Sequence, residues 1–186
     1  MQKRVTGVLI AIFLVVAAAV PSMAGAADVP PKKRTHLGLY LTAGEAYARW
    51  QAAPEKTAIL DVRTQEEYIF VGHATMAHNI PVMFLDPIQE KVSMTPNADF
   101  VSRVKARFGD DTTLLVMCRS GARSAMAVNR LAEAGLKKVY NIVDGFEGGK
   151  VNDPASYYHG KRMVNGWKNA GAPWTYALDR ALVYRP

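Results

Sequence analysis

The sequence predicts an α/β domain in which a central, mainly parallel sheet is flanked by helices on both faces. Two observations carry this expectation. Residues 58–62 (AILDV) and 113–117 (TLLVM) are short apolar runs with polar or proline-bearing flanks, the pattern of strands buried on both faces. Around them, apolar residues recur at helical spacing behind good capping residues, and strands alternating with helices favour a parallel sheet.

Each element follows from local chemistry. Thr42-x-x-Glu45 has capping-box spacing and predicts a helix over 43–51; Thr64-x-x-Glu67 repeats the signature for a short helix ended by Gly72. Residues 77–80 predict a short strand stopped by Pro81. Residues 82–96, with Pro87 and Pro96 and no clean period, predict a surface loop with an extended piece. Asn97 is placed as the N-cap of a helix over 98–108, with Phe100, Val101, Val104 and Phe108 on one face. After strand 113–117, a helix over 124–134 turns Ala125, Val128, Leu131 and Ala132 inward and closes at Gly135, and a last short strand covers 138–143.

The ends set the domain bounds. Lys3 and Arg4, an apolar run over 5–20 and an Ala-x-Ala site at 24–26 follow the order of a secretory signal peptide, residues 1–26. The apolar run falls short of the ~20 residues that span a bilayer. The expectation is therefore a periplasmic mature chain of 160 residues with no stable membrane anchor after cleavage. It divides into a tether over 27–36, one domain over 37–178 and a tail over 179–186. Without Lys3 and Arg4 the chain keeps 21 basic against 16 acidic side chains, scattered along its length. So modest and dispersed a surplus argues against nucleic-acid binding and leaves small anions as ligands. The oligomeric state is not legible.

Cys118 is the only cysteine, so no internal disulfide can form. A lone thiol in an exported protein is either buried and inert or the working group. Its setting points to the second. Ligands of parallel sheets bind beyond the carboxyl ends of the strands, and Cys118 lies there, between strand 113–117 and a helix N-terminus. The loop CRSGARS, residues 118–124, is expected to curl its N–H groups inward as an anion nest, with Gly121 free to take positive φ and Arg119 and Arg123 adding charge. All of this favours thiolate, and the sulfur should lie exposed in the nest. Tyrosine-phosphatase-type loops place five residues between cysteine and arginine to wrap a tetrahedral phosphate. Here Ser124 holds the arginine's place and Arg123 comes one earlier, a fit for a single sulfur atom carried on the cysteine.

With these residues in view, the sequence resembles the rhodanese family of sulfurtransferases. CRSGARS (118–124) is similar to the family's active-site loop, LDVRTQEEYIFVGHATMAHNIP (60–81) to its upstream signature, and DGFEGG (144–149) with GWKNAGAPW (166–174) to its closing segment. The likeness runs over about 37–174 in family order. It implies a Cys118 that cycles through a persulfide, taking sulfur from thiosulfate or a related small sulfur anion and passing it to a thiol, cyanide or protein acceptor. The N–H groups of Arg119, Ser120, Gly121, Ala122, Arg123 and Ser124 would hold the terminal sulfur, and Arg119 and Arg123 the anionic donor. No metal or cofactor is implied. Ala74 and Met76 depart from the family pattern, and seventeen residues separate Gly149 from Trp167 where the family has two or three. The insertion, about 150–166, is expected near the active-site mouth, with Tyr157, Tyr158, His159, Lys161 or Arg162 shaping access.

Other residues read as structural. Asp61 and Arg63 flank Val62, project to one side, and are expected to pair and pin loops at the sheet's edge. His73 and His78 lack the alignment of metal ligands. Ser124 is expected to cap its helix and also to donate to the sulfur. Two further classes stay open: a persulfide carrier or redox-sensing module that turns over small donors poorly, and a silent interaction domain.

Overall fold

The computed structural model describes residues 29–86 and 93–185, so the expected signal peptide lies outside the described residues. The strands are β1 (Tyr40–Leu41), β2 (Thr57–Asp61), β3 (His73–Ala74), β4 (His78–Asn79), β5 (Met83–Asp86), β6 (Ser93–Pro96), β7 (Thr113–Met117), β8 (Val139–Ile142), β9 (Gly149–Lys150), β10 (Arg162–Val164) and β11 (Trp174–Thr175). The helices are α1 (Ala43–Ala52), α2 (Gln65–Phe70), α3 (Phe100–Arg107) and α4 (Ala122–Glu133). Five strands form the main sheet in the order β1-β8-β7-β2-β4, every neighbouring pair parallel.

Strand alternation sets the layers. Ile59, Leu115 and Met117 face Ala43 and Ala46 of α1 and Tyr68 of α2; Leu60, Leu114 and Val116 face Phe100 and Val104 of α3 and Ala127, Val128 and Leu131 of α4. Helices therefore cover both faces, as the apolar runs predict. Each fully buried Leu, Ile or Phe contributes about 1.5–3 kcal/mol of burial, and the register, with Thr57 opposite Thr113 and Asp61 opposite Met117, aligns the carboxyl ends of β2 and β7. Both capping boxes form: the side chains of Thr42 and Thr64 accept from Glu45 and Glu67 N–H groups, and the two glutamates accept in return.

Four local expectations are corrected. Residues 83–86 and 93–96, expected within a surface loop with one extended piece, pair as the antiparallel strands β5 and β6. Asn97 is not the cap of α3: Asp99 holds that place, while Asn97 Oδ1 accepts from Asp99 N–H and its Nδ2 donates to Pro81 O. The tether is folded onto the domain from residue 29, with Val29 buried, a 3₁₀ turn at Pro31–Lys33, and the Lys33 carbonyl held by Asn141 Nδ2 at 2.9 Å. The tail likewise docks, since Asn79 N–H donates to Leu182 O, Gln65 Nε2 donates to Tyr184 O, and the Tyr184 ring lies 5.7 Å from that of Phe84. In each case the partners lie too far along the chain for the segment's own composition to reveal them.

Candidate active site

Strand β7 delivers Cys118 to the carboxyl edge of the sheet, and the chain then turns directly into α4. The helix starts at Ala122, two residues before the expected place, because Gly121 is its N-cap at φ 101°. Only glycine fits there: a Cβ would come within 2.2 Å of Val143 O. Ser124 is therefore no cap; it lies in the first turn, buried, and its hydroxyl donates to Cys118 Sγ at 3.4 Å. Gly121 N–H donates to the same sulfur at 3.2 Å. The first-turn N–H groups of Ala122, Arg123 and Ser124 have no partner within the helix, so the positive end of α4 is turned toward the sulfur.

A second turn braces the loop from outside. Phe146 N–H donates to Cys118 O at 2.8 Å and Glu147 N–H to Arg119 O at 2.9 Å. Gly145 makes this approach possible, since a Cβ there would lie 2.5 Å from Cys118 O. Asp144, at the head of the same turn, accepts from Ala43 and Gly166 N–H groups. Burial raises its carboxyl above the ordinary value against the pull of those donors and of Lys33.

The expectation that the sulfur is exposed is wrong. Cys118 is 2% exposed and packs into the apolar layer of α3 and α4, because it prolongs a strand buried on both faces and the 121–124 turn wraps it. One side of the thiol meets hydrocarbon; Gly121 and Ser124 donate to its sulfur. Ser120 and Ala122 are half-buried and Arg119 is exposed.

The two loop arginines differ. Arg119 makes no ion pair among the described residues, whereas Arg123 forms a bidentate pair with Glu67, its Nη1 and Nη2 at 2.5 and 2.6 Å from the two carboxylate oxygens. The expected role of Arg123 as a free anion clamp is corrected accordingly. Burial would raise the Glu67 carboxyl, yet the Arg123 hydrogen bonds and charge, helped by Thr64 N–H and Arg63, hold it below the ordinary value. Asp61 and Arg63 form the expected structural pair, fully buried at 2.6 Å, with Arg63 also donating to Gly72 O at 2.8 Å and its guanidinium 4.1 Å from the Phe146 ring centroid. It thus ties the upstream signature to the brace behind the cysteine loop.

The histidines stand away from the thiol's contacts. His73 is buried and stacks on Tyr68 at 3.8 Å. His78 is lowered to about 4 by burial and by Arg107. The insertion forms the β9–β10 hairpin, rooted directly after the bracing turn, with Arg162 Nη1 donating to Gly148 O at 2.6 Å. Tyr157 at its tip is 84% exposed, and Lys161 Nζ lies 4.5 Å from its ring centroid. Sequence reasoning missed Glu67 as the partner of Arg123, Asn141, and Lys33; only Glu67 carried a signal, as the acidic residue of the upstream signature.

The rhodanese-like domain family matches residues 42–151. The chain belongs to that family. An uncharacterised protein of Rickettsia prowazekii is 36% identical over 118 residues, covering 63% of this chain and 82% of its own. Thiosulfate sulfurtransferase 16, chloroplastic, of Arabidopsis thaliana is 40% identical over 87 residues, covering 47% of this chain and 68% of its own. A crystal structure of the M. tuberculosis protein Rv0390 superposes with a TM-score of 0.60 at 28% identity, over 74% of this chain and 96% of that one. The rhodanese-like family and the Arabidopsis thiosulfate sulfurtransferase relative support a sulfurtransferase-type function. The matched stretch holds Cys118 and its loop, the Asp61–Arg63 pair and Glu67, and it leaves the 29–36 segment and most of the β9–β10 hairpin outside its bounds.

Proposed function

We propose that this rhodanese-like protein is a periplasmic sulfurtransferase that carries sulfane sulfur on Cys118 as a persulfide. The observation that supports it is the pair of donors on one sulfur, Gly121 N–H and Ser124 O–H, at the N-terminus of α4. In the proposed step the Cys118 thiolate attacks the outer sulfur of thiosulfate. A bond forms between Sγ and that sulfur, the bond to the sulfonate sulfur breaks, and its electron pair leaves with sulfite. The terminal persulfide sulfur then bears the negative charge, which the helix end and loop N–H groups stabilise. An acceptor thiolate or cyanide attacks that sulfur and returns Cys118 to thiolate, with no external oxidant or reductant. The periplasmic assignment rests on residues 1–26 as an export signal.

Mass spectrometry of the folded protein after thiosulfate should show a gain of one sulfur atom on Cys118, absent in Cys118→Ser. No gain from any sulfane donor would overturn the reading. The burial of the sulfur favours a second one, in which the persulfide is held for a dedicated protein partner. Steady-state sulfite release decides between them: loading without turnover on small acceptors marks the carrier.

A further inference from the structure

The 29–36 segment, expected to be a loose tether, runs along the cysteine loop, and three contacts fix it there. Lys33 Nζ donates to Val143 O at 2.8 Å. That same carbonyl is the group packed against Gly121, and the Lys33 Cδ would lie 2.9 Å from a Cβ on Gly121, so the lysine stem rests on the residue that donates to the sulfur. The fully buried Asn141 then clips both partners with one amide, its Nδ2 donating to Lys33 O at 2.9 Å and to Gly121 O at 3.1 Å. An ammonium carries three hydrogens and Val143 takes one, which leaves donors for a ligand.

The chemistry needs such a group. A thiolate attacking a dianion meets repulsion, and Glu67 already pairs with Arg123. Arg119 is exposed at the rim. Lys33 lies within electrostatic reach of Cys118 and of Asp144; burial lowers its pKa, while both of those groups pull it back up and Arg162 opposes them. We propose that Lys33, supplied by the 29–36 segment, is a donor-binding cation of the Cys118 site and that it selects anionic sulfane-sulfur donors. This rests on the sulfur-transfer reading above.

Alkylation tests it without sulfur transfer. Iodoacetate and iodoacetamide are similar in size and differ in charge, so the ratio of their rates at Cys118 reports local positive potential. Lys33→Met should lower the iodoacetate rate about three- to tenfold, as expected for one unit charge at close range in a wet site, and change the iodoacetamide rate less than about twofold. Lys33→Arg should restore the ratio, Lys33→Gln should repeat the loss should the methionine variant fold poorly, and Lys32→Met, which removes the same charge from an exposed neighbour, should leave it unchanged. A parallel fall with both reagents, or equal effects at Lys32 and Lys33, overturns the proposal and leaves the persulfide reading standing. A folded thiol inert to both reagents removes the two together.

Discussion

Two arginine–carboxylate pairs among the described residues have nearly the same geometry and opposite character. Asp61 and Arg63 are two residues apart on the end of one strand, with side chains 0% exposed; Glu67 and Arg123 join α2 to α4 across 56 residues, with side chains 18% and 15% exposed. The first pair satisfies itself locally and then holds Gly72 O and faces Phe146, so it works as a rivet between segments. The second takes one of the two loop cations out of circulation and ties the first turn of α4 to α2. Equal bond lengths thus serve stability in one place and the electrostatics of a reaction site in the other. Surroundings, more than the pair itself, decide the role.

Breaking the rivet should have the largest effect. Arg63→Leu leaves Asp61 buried without its cation, with only the residue-63 backbone N–H still donating to it, a loss of about 3–5 kcal/mol that would lower the melting temperature by roughly 10 °C. A thermal melt within a few degrees of the parent would mean that water reaches the pair and the comparison fails. Arg123→Gln should cost less, about 2 kcal/mol for charge-assisted bonds near the surface, and its cost should depend on pH. Because the Glu67 carboxyl is depressed in the fold, the pair's stabilisation is fully present above the ordinary value of 4.5 and is lost as pH falls through the depressed one. The difference in melting temperature between parent and variant should therefore close in that acid window; a difference that persists below it would assign the effect to packing. Smallest of all, Lys138→Ala breaks a pair with Asp111 at 3.0 Å whose partners stand in open water, and should leave the melt unchanged.

Much of this was legible because its causes are local. Both capping boxes, the strand at 113–117 and the pairing of Asp61 with Arg63 follow from residues within a few positions of one another. What escaped depends on separation in sequence. The β5–β6 hairpin has no alternation to announce it, since its side chains are half-buried or exposed. Residues 29–36, basic and proline-bearing, and the short stretch 179–185 read as loose ends, yet they are held by N–H donors about 100 residues away, those of Asn141, Gln65 and Asn79. The burial of Cys118 is hidden in the sequence because the glycine and arginines after it suggest an open loop, whereas the residue continues a buried strand. Lys33 gave no sign at all: a lysine in a basic, proline-rich run is ordinarily solvated, and only the fold brings it to Gly121.

One side chain makes a local injury travel. The hydrogens of the Asn141 amide are divided between the Lys33 and Gly121 carbonyls, so one peg joins the N-terminal strap to the sulfur's own turn. A protease nick just ahead of residue 35 would leave the five-stranded platform standing and still be felt at the thiol, which makes limited digestion a sensitive gauge of whether the strap is seated.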